Sequence, residues 1–399
     1  MKRLIAFDYL RVLLILLVII FHSVVFVTLS NHVSSFGQTI DQTMDFSQWI
    51  AHLAISTNNL LQGVFYSYLF IMPAFFLLAG FFARLTLNKL GTKKFIVNRA
   101  MKIAVPFLFL WLWKAPLYFL LIAWVYFFAT GFGAILLLSV QSLLQQAGGN
   151  WSYLNDLSYT WFLYDLLWLY AISVGLMCLV ERWQWLRQSM LLLDRWLLKV
   201  FVSPLCHVLI AGVCTLLLAR HFAAGVLPFD GRLNSPLALG LFYALWYGVG
   251  WWLAAHQSQF SNFFNYNGVK LSLSMVLYGI YMQYFFSPSA VGFSYYIGLF
   301  INQLSTVFVV FSLIGLTWRY GTKPRYGLRY VSAASYWLYL SHIPLIFLCL
   351  TWLPQQAAHY YVDCVVVSVT TLALGLLSYQ WLVRHTWLNR FVGEKYSDA

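Results

Sequence analysis

Two side chains in the first apolar run carry chemistry: Arg11 and His22, within FDYLRVLLILLVIIFHSVVFVTL (Phe7 to Leu29). Histidine is the side chain most readily used as a base near neutral pH. Arginine grips a phosphate through a planar fork of donors. The two residues stand eleven positions apart. At about 100° per residue in a helix this is about three turns plus roughly 20°, so both project from one face, roughly 16 Å apart along the axis. Asp8, three residues before Arg11, shares that face and can pair with it. Transfer of an acyl group to a hydroxyl needs a base for the hydroxyl proton and donors for the oxyanion. His22 can be that base. A donor such as coenzyme A has a long thin arm that can thread a helical bundle, with its phosphates left on Arg84, Arg99, Lys102 and Arg11. The simpler account of Arg84 to Lys102 is a basic loop that orients the chain in a membrane.

These groups must be positioned by membrane-spanning helices. The chain is 62% hydrophobic and 9% charged, far below the roughly 25% charged residues of soluble domains. Its apolar runs are near the 20 residues that span a bilayer as a helix, and they lack the alternation of a barrel strand. The formal charge of +13 is spread between apolar runs and does not point to nucleic acid. Met1-Lys2-Arg3 resembles the start of a signal peptide, but the following run is too long and has no small-residue cleavage site. Five cysteines, Cys178, Cys206, Cys214, Cys349 and Cys364, mostly fall inside apolar runs and suit packing rather than disulfides or metal ligation.

The expected fold is all-α: a polytopic bundle of about ten transmembrane helices forming a single domain over 1–399. Spans are expected at about 4–29, 60–83, 103–128, 158–180, 200–221, 236–255, 269–287, 297–317, 331–353 and 362–383. Within the second, Pro73 is expected to kink the helix and Gly80 to admit a close neighbour. SQWIAHLAI (Ser47 to Ile55) suits a short interfacial helix, and WLRQSMLLLDRWLLK (Trp185 to Lys199) is amphipathic. Loops after even-numbered spans hold Arg84 to Lys102, Arg182 to Lys199, Lys270, Arg319 to Arg329 and Arg384 to Lys395, whereas Arg220 and Arg232 are the exceptions on the other side. The positive-inside rule then puts both termini in the cytoplasm, Arg11 in the inner half of the membrane and His22 in the outer half. No internal repeat is visible.

The spacing of Arg11 and His22 resembles the first span of the acyltransferase-3 family of membrane O-acyltransferases. Four further stretches are similar to that family in the same order: FFLLAGFF (Phe75 to Phe82), NRAMKIAVPF (Asn98 to Phe107), TWFLYDLLWLY (Thr160 to Tyr170) and SYWLYLSHIPLI (Ser335 to Ile346). Three positions depart from the family pattern: Lys102 where a second arginine is usual, Ala79 where serine precedes glycine, and Thr160 where a histidine often stands. Length and span number look most like the branch that succinylates osmoregulated periplasmic glucan; related branches acetylate other surface glycans.

The resemblance implies an enzyme of the bacterial inner membrane. It would move a succinyl or acetyl group from cytoplasmic acyl-CoA to a glycan hydroxyl on the outer side. His22 would be the catalytic base, with Arg11 holding the donor or positioning the site. Arg99 and Lys102 would meet the donor phosphates and Trp161 would line the passage. His342 in span nine either lines the site or is a core histidine. Asp165 in span four would pair with Arg11 or a histidine, or be neutral and hydrogen-bonded; Asp8 would orient Arg11. No permanently bound cofactor and no metal is expected, since no pair among His32, His52, His207, His221, His256, His359 and His385 has ligand spacing. Expected partners are acyl-CoA, a glycan acceptor and lipid, with glucan-synthesis proteins or a second copy as further candidates. Two other readings stand beside the enzyme. One is a transporter of donor or glycan without chemistry of its own, for which inverted repeats are missing; the other is a structural subunit of a glycan-synthesis complex.

Overall fold

A computed structural model describes residues 5–35, 59–112, 157–220, 233, 235–286, 292–323, 325–352 and 359–393. Every described element is a helix. The interfacial helix expected at Ser47–Ile55, the span-three residues beyond Leu112 and Arg232 lie outside the described residues. In chain order the α-helices are α1 (Ile5–Ser35), α2 (Asn59–Leu90), α3 (Thr92–Arg99), α4 (Trp161–Arg182), α5 (Gln184–Val202), α6 (Leu205–Leu218), α7 (Leu237–Leu253), α8 (Phe260–Phe263), α9 (Asn267–Ile280), α10 (Gly292–Tyr320), α11 (Tyr326–Leu350), α12 (Tyr360–Ser378) and α13 (Asn389–Val392). Short π-helical segments follow α3, α9 and α12 at Ala100–Ala104, Tyr281–Phe285 and Tyr379–Val383.

Seven described helices are long and apolar enough to cross a membrane, or up to nine when each of two bent pairs counts as one span. The amphipathic stretch becomes α5, which meets α6 at 109°. The seventh expected span is not among these helices; there α9 runs into the π segment that ends at Phe285. On α4, Trp168, Ile172, Leu176 and Leu179 recur at helical spacing and are exposed; on α12 Val362, Val365, Val366 and Val369 are exposed too. Apolar stripes of this kind fit hydrocarbon better than water, and helices are the open-chain structure that satisfies its own backbone there.

Contacts along the bundle give the helices alternating directions. Phe7 near the start of α1 packs on Phe81 near the end of α2 (4.4 Å) and on Trp318 near the end of α10 (6.2 Å). At the opposite end Thr28 meets the Tyr360 hydroxyl at 3.0 Å. Lys102 donates to the Gly393 carbonyl at 3.1 Å, so both ends of the described chain lie at the end that carries Arg11 and Arg99. This is the basic end of the bundle, and the other is the histidine end.

Helices α2 and α7 approach through two glycines. A Cβ at Gly80 would run into the Tyr247 carbonyl, and one at Gly250 into the Leu77 carbonyl, so each helix offers a notch to the backbone of the other. Small residues permit such contact where hydrophobic exclusion gives helices no extra drive to associate. Gly80 thus admits a neighbour as its residue type implied. Pro73 lies inside α2, which continues as one helix through it. Gly250→Ala is expected to cost about 1–3 kcal/mol by overpacking and to lower the melting temperature of detergent-solubilised protein. Gly248→Ala, whose methyl meets open space, should not lower it; equal melting temperatures in both variants would refute the notch.

Candidate functional site

The leucine, isoleucine and valine run of α1 keeps one continuous helix from Ile5 to Ser35. Arg11 and His22 are therefore fixed on one rod, separated along it by about 16 Å at 1.5 Å per residue. His22 is half-buried, and its Nδ1 lies 2.9 Å from the Val18 carbonyl one turn back. A carbonyl only accepts, so Nδ1 carries the hydrogen and Nε2 holds the lone pair.

His342 of α11 repeats this arrangement. Its ring is 1% exposed, its Nδ1 lies 2.6 Å from the Tyr339 carbonyl, and its buried Nε2 has no protein partner. The two imidazoles stand 4.9 Å apart between centroids, inclined at 61°. Sequence alone left His342 open between a site and a core role; the fold puts it against His22. No group of three or more His, Cys, Asp or Glu side chains suited to a metal forms among the described residues.

The apolar core divides at this level. One cluster takes α1 up to Ile19 and α11 up to Leu340; a second takes α1 from Phe21 and α11 from Ile346. The histidine pair occupies the seam. Pro344 shapes its wall: a proline has no N–H to return to the carbonyl four residues back, here Leu340. The Tyr159 hydroxyl donates to that Leu340 carbonyl at 3.3 Å, while the Tyr339 hydroxyl donates to the Tyr159 carbonyl at 2.6 Å. This clasp sets the Tyr159 ring 6.1 Å from His342.

At the basic end, the Arg11 guanidinium lies 4.7 Å over the Phe82 ring, and Arg99 lies over Phe95 and Tyr170 at 5.3 and 5.2 Å. Such stacking orients a cation with little loss of its charge. Arg99 also donates to the Thr86 hydroxyl at 3.0 Å, and its buried Nε has no acceptor. Asp8 accepts the Ser332 hydroxyl at 2.8 Å, tying α1 to α11. Arg84 donates to the Trp251 carbonyl at 3.3 Å and lies within electrostatic reach of Asp194.

Arg99 and Lys102, three positions apart, turn to different neighbours. On an α-helix they would share a face. Here the Val105 N–H bonds to the Ala100 carbonyl five residues back, making the π segment Ala100–Ala104. Pro106 favours this defect because it cannot bond to the Lys102 carbonyl. Arg99 consequently turns to α2, and Lys102 to the Gly393 carbonyl.

Buried phenols lie between the two ends. Tyr170 is within electrostatic reach of Arg99, Arg11 and Tyr336. Tyr339 is in reach of Tyr336, Tyr159 and Asp165, and its ring lies 5.9 Å from His342. The Tyr336 hydroxyl is buried and unpartnered. Asp165 is half-buried near Tyr243 and Tyr339. Trp161 packs on Tyr243 and Phe76, at 5.2 and 6.1 Å.

The described geometry is thus an imidazole pair with lone pairs at Nε2, a separate arginine cluster, and buried phenols between them. The chain matches the acyltransferase-3 family, described as an acyltransferase domain, over residues 4–379. It belongs to that family. No curated protein and no solved structure matches it. This acyltransferase is accordingly a multi-pass membrane protein whose domain takes in nearly the whole chain.

Tyr159, Tyr336, Ser332 and Thr86 were not singled out by sequence reasoning. The one local signal was Pro344, which exposes a carbonyl that another element must satisfy. Tyr159→Phe should destabilise the acyltransferase by about 1–2 kcal/mol, because it leaves the Leu340 carbonyl without its donor. Pro344→Ala returns a helical N–H to that carbonyl, so thermal unfolding of the double variant should show a smaller Tyr159→Phe penalty than the single one. Additive effects would overturn the clasp.

Proposed function

We propose that this acyltransferase moves an acyl group, succinyl or acetyl, from cytoplasmic acyl-CoA to a hydroxyl of a periplasmic glucan or related surface glycan. The observation that carries the reading is that Arg11 of the arginine cluster and His22 of the histidine pair stand at two depths of one continuous helix, with buried phenols between those depths. A single step at that depth requires a donor that enters from one compartment and an acceptor that enters from the other.

In this reading the chain crosses the bacterial inner membrane about ten times, with the short α9 region counted as a span, and both termini are cytoplasmic. The alternating charge of the loops supports that orientation. The basic end then faces the cytoplasm. Arg11 and Arg99 hold the donor's phosphates, and the free Nε of Arg99 has a charge-assisted bond to give. Lys102 and Arg84 contribute charge from the rim. The pantetheine arm runs past Tyr170, Asp165 and Tyr336, with Trp161 behind it. His22 Nε2 takes the acceptor's hydroxyl proton as the oxygen attacks the thioester carbonyl. When the C–S bond breaks, the same proton passes to the thiolate sulfur. The donor is a substrate, and no permanently bound cofactor enters the reaction.

Two measurements test this. With the purified acyltransferase in nanodiscs, His22→Ala should lower transfer from acyl-CoA to a glucan by about 10²–10⁴-fold, the range for loss of a general base, with folding retained. Full transfer in a folded His22→Ala variant would remove the base assignment. Mass spectrometry of surface and periplasmic glycans, with and without the protein, should show an ester of matching mass that disappears. Transport of donor with no ester formed would favour a carrier instead.

For the donor cluster, Arg99→Gln is expected to raise KM for acyl-CoA at least tenfold. It should leave KM for an acyl-pantetheine lacking the nucleotide nearly unchanged. An equal rise for both donors would place the phosphates elsewhere.

A further inference from the structure

Beyond the base itself, the seam holds a second imidazole whose chemistry the single-base mechanism leaves unused. His342 is fully buried, and its Nε2 has no donor in the protein. Two hydroxyls beside it are committed: Tyr159 to the Leu340 carbonyl and Tyr339 to the Tyr159 carbonyl. The other rings packed around His22, Phe21 and Phe26, have no polar hydrogen. Both Nδ1 atoms donate to backbone carbonyls, so both neutral imidazoles present lone pairs at Nε2. The ring centroids stand 4.9 Å apart, inclined at 61°, and no hydrogen bond links His342 Nε2 to His22 while both rings are neutral.

We propose that His22 and His342 work as an imidazole pair that holds the transferred proton in common, with His342 as the positioning partner of the His22 base. This inference rests on the acyl-transfer reading above. A neutral pair leaves one lone pair unmet even when an acceptor hydroxyl donates to the other. A proton on the His22 Nε2 gives an N–H that His342 Nε2 accepts, and both lone pairs are then satisfied. The arrangement is therefore complementary to the state reached after the hydroxyl has lost its proton, rather than to the resting site. The bonds balance without another reactant. The acceptor O–H breaks as its oxygen bonds to the acyl carbon, and the proton resides on His22 Nε2 with His342 accepting. As the C–S bond breaks the proton moves to the sulfur, returning both imidazoles to neutrality and releasing coenzyme A as the thiol.

The geometry supplies variants that separate this role from a structural one. His342→Asn places an amide where Nδ1 stood, so it can keep the bond to the Tyr339 carbonyl while deleting the facing acceptor. His342→Gln places an amide oxygen near the former Nε2. In nanodiscs, with acyl-CoA and glucan, His342→Asn should lower kcat about 100-fold with KM for acyl-CoA within twofold and an unchanged melting temperature. His342→Gln should recover at least tenfold of that loss. Turnover of His342→Asn within threefold of the parent, a loss carried by KM, or a Gln variant no better than Asn would overturn the proposal. Should His342→Asn unfold, the Gln variant decides alone: kcat below one hundredth of the parent in folded protein refutes the shared proton. His22→Ala is run alongside. An inactive His22→Ala with an active His342→Asn sinks only the pair, whereas an active His22→Ala sinks the acyl-transfer reading beneath it.

Discussion

A backbone carbonyl that claims one nitrogen of an imidazole decides what the other nitrogen can do. Val18 does this for His22 and Tyr339 for His342. In water either tautomer would serve, because solvent pairs with both nitrogens. Within a helical bundle the carbonyl is an acceptor that cannot change its role, so each ring presents a lone pair at Nε2. The usefulness of the seam follows from that restriction. The two core clusters part at this depth, and the buried His342 Nε2 lies between them without a donor.

Departures from regular helix geometry place the groups around this seam. Pro344 withholds one N–H, and Tyr159 from another element fills the gap, which brings a phenol beside His342. Pro106 accompanies the π segment that turns Arg99 and Lys102 to different neighbours. In both cases an unsatisfied backbone group in a water-poor setting is too costly to leave, so a distant side chain or a shifted register answers it. The missing hydrogen bond thereby acts as a positioning device.

Another polar network anchors the surface helix α5. Asp194 accepts the Trp252 indole N–H at 2.8 Å and faces His256 Nε2 at 3.4 Å, while His256 Nδ1 faces the Trp252 carbonyl at 3.1 Å. Arg84 reaches the same corner through Trp251. The network pins an amphipathic helix that bends 109° from α6 against α7, whose notch at Gly250 receives the backbone of α2. Close backbone packing on one side and hydrogen bonding on the other hold the basic end together, where simple apolar exclusion from water has little to offer.

From the sequence alone came the all-helical membrane class, the arginine and histidine at two depths of one helix, the small residue at Gly80 and the likeness to acyltransferases. All of these are local or periodic properties: helix rise, side-chain hydropathy, residue size and short motifs recur at fixed spacing, so a single strand of text records them. Tertiary structure decided which histidine faces His22, that Asp8 bonds to Ser332, that Arg99 and Lys102 diverge, and that Trp161 packs on Tyr243 and Phe76. These depend on how helices rotate and slide against partners far away in the chain, where many registers bury the same apolar area. What selects among them is the pairing of a few buried polar groups, and those partners are distant in sequence, with no spacing to announce them.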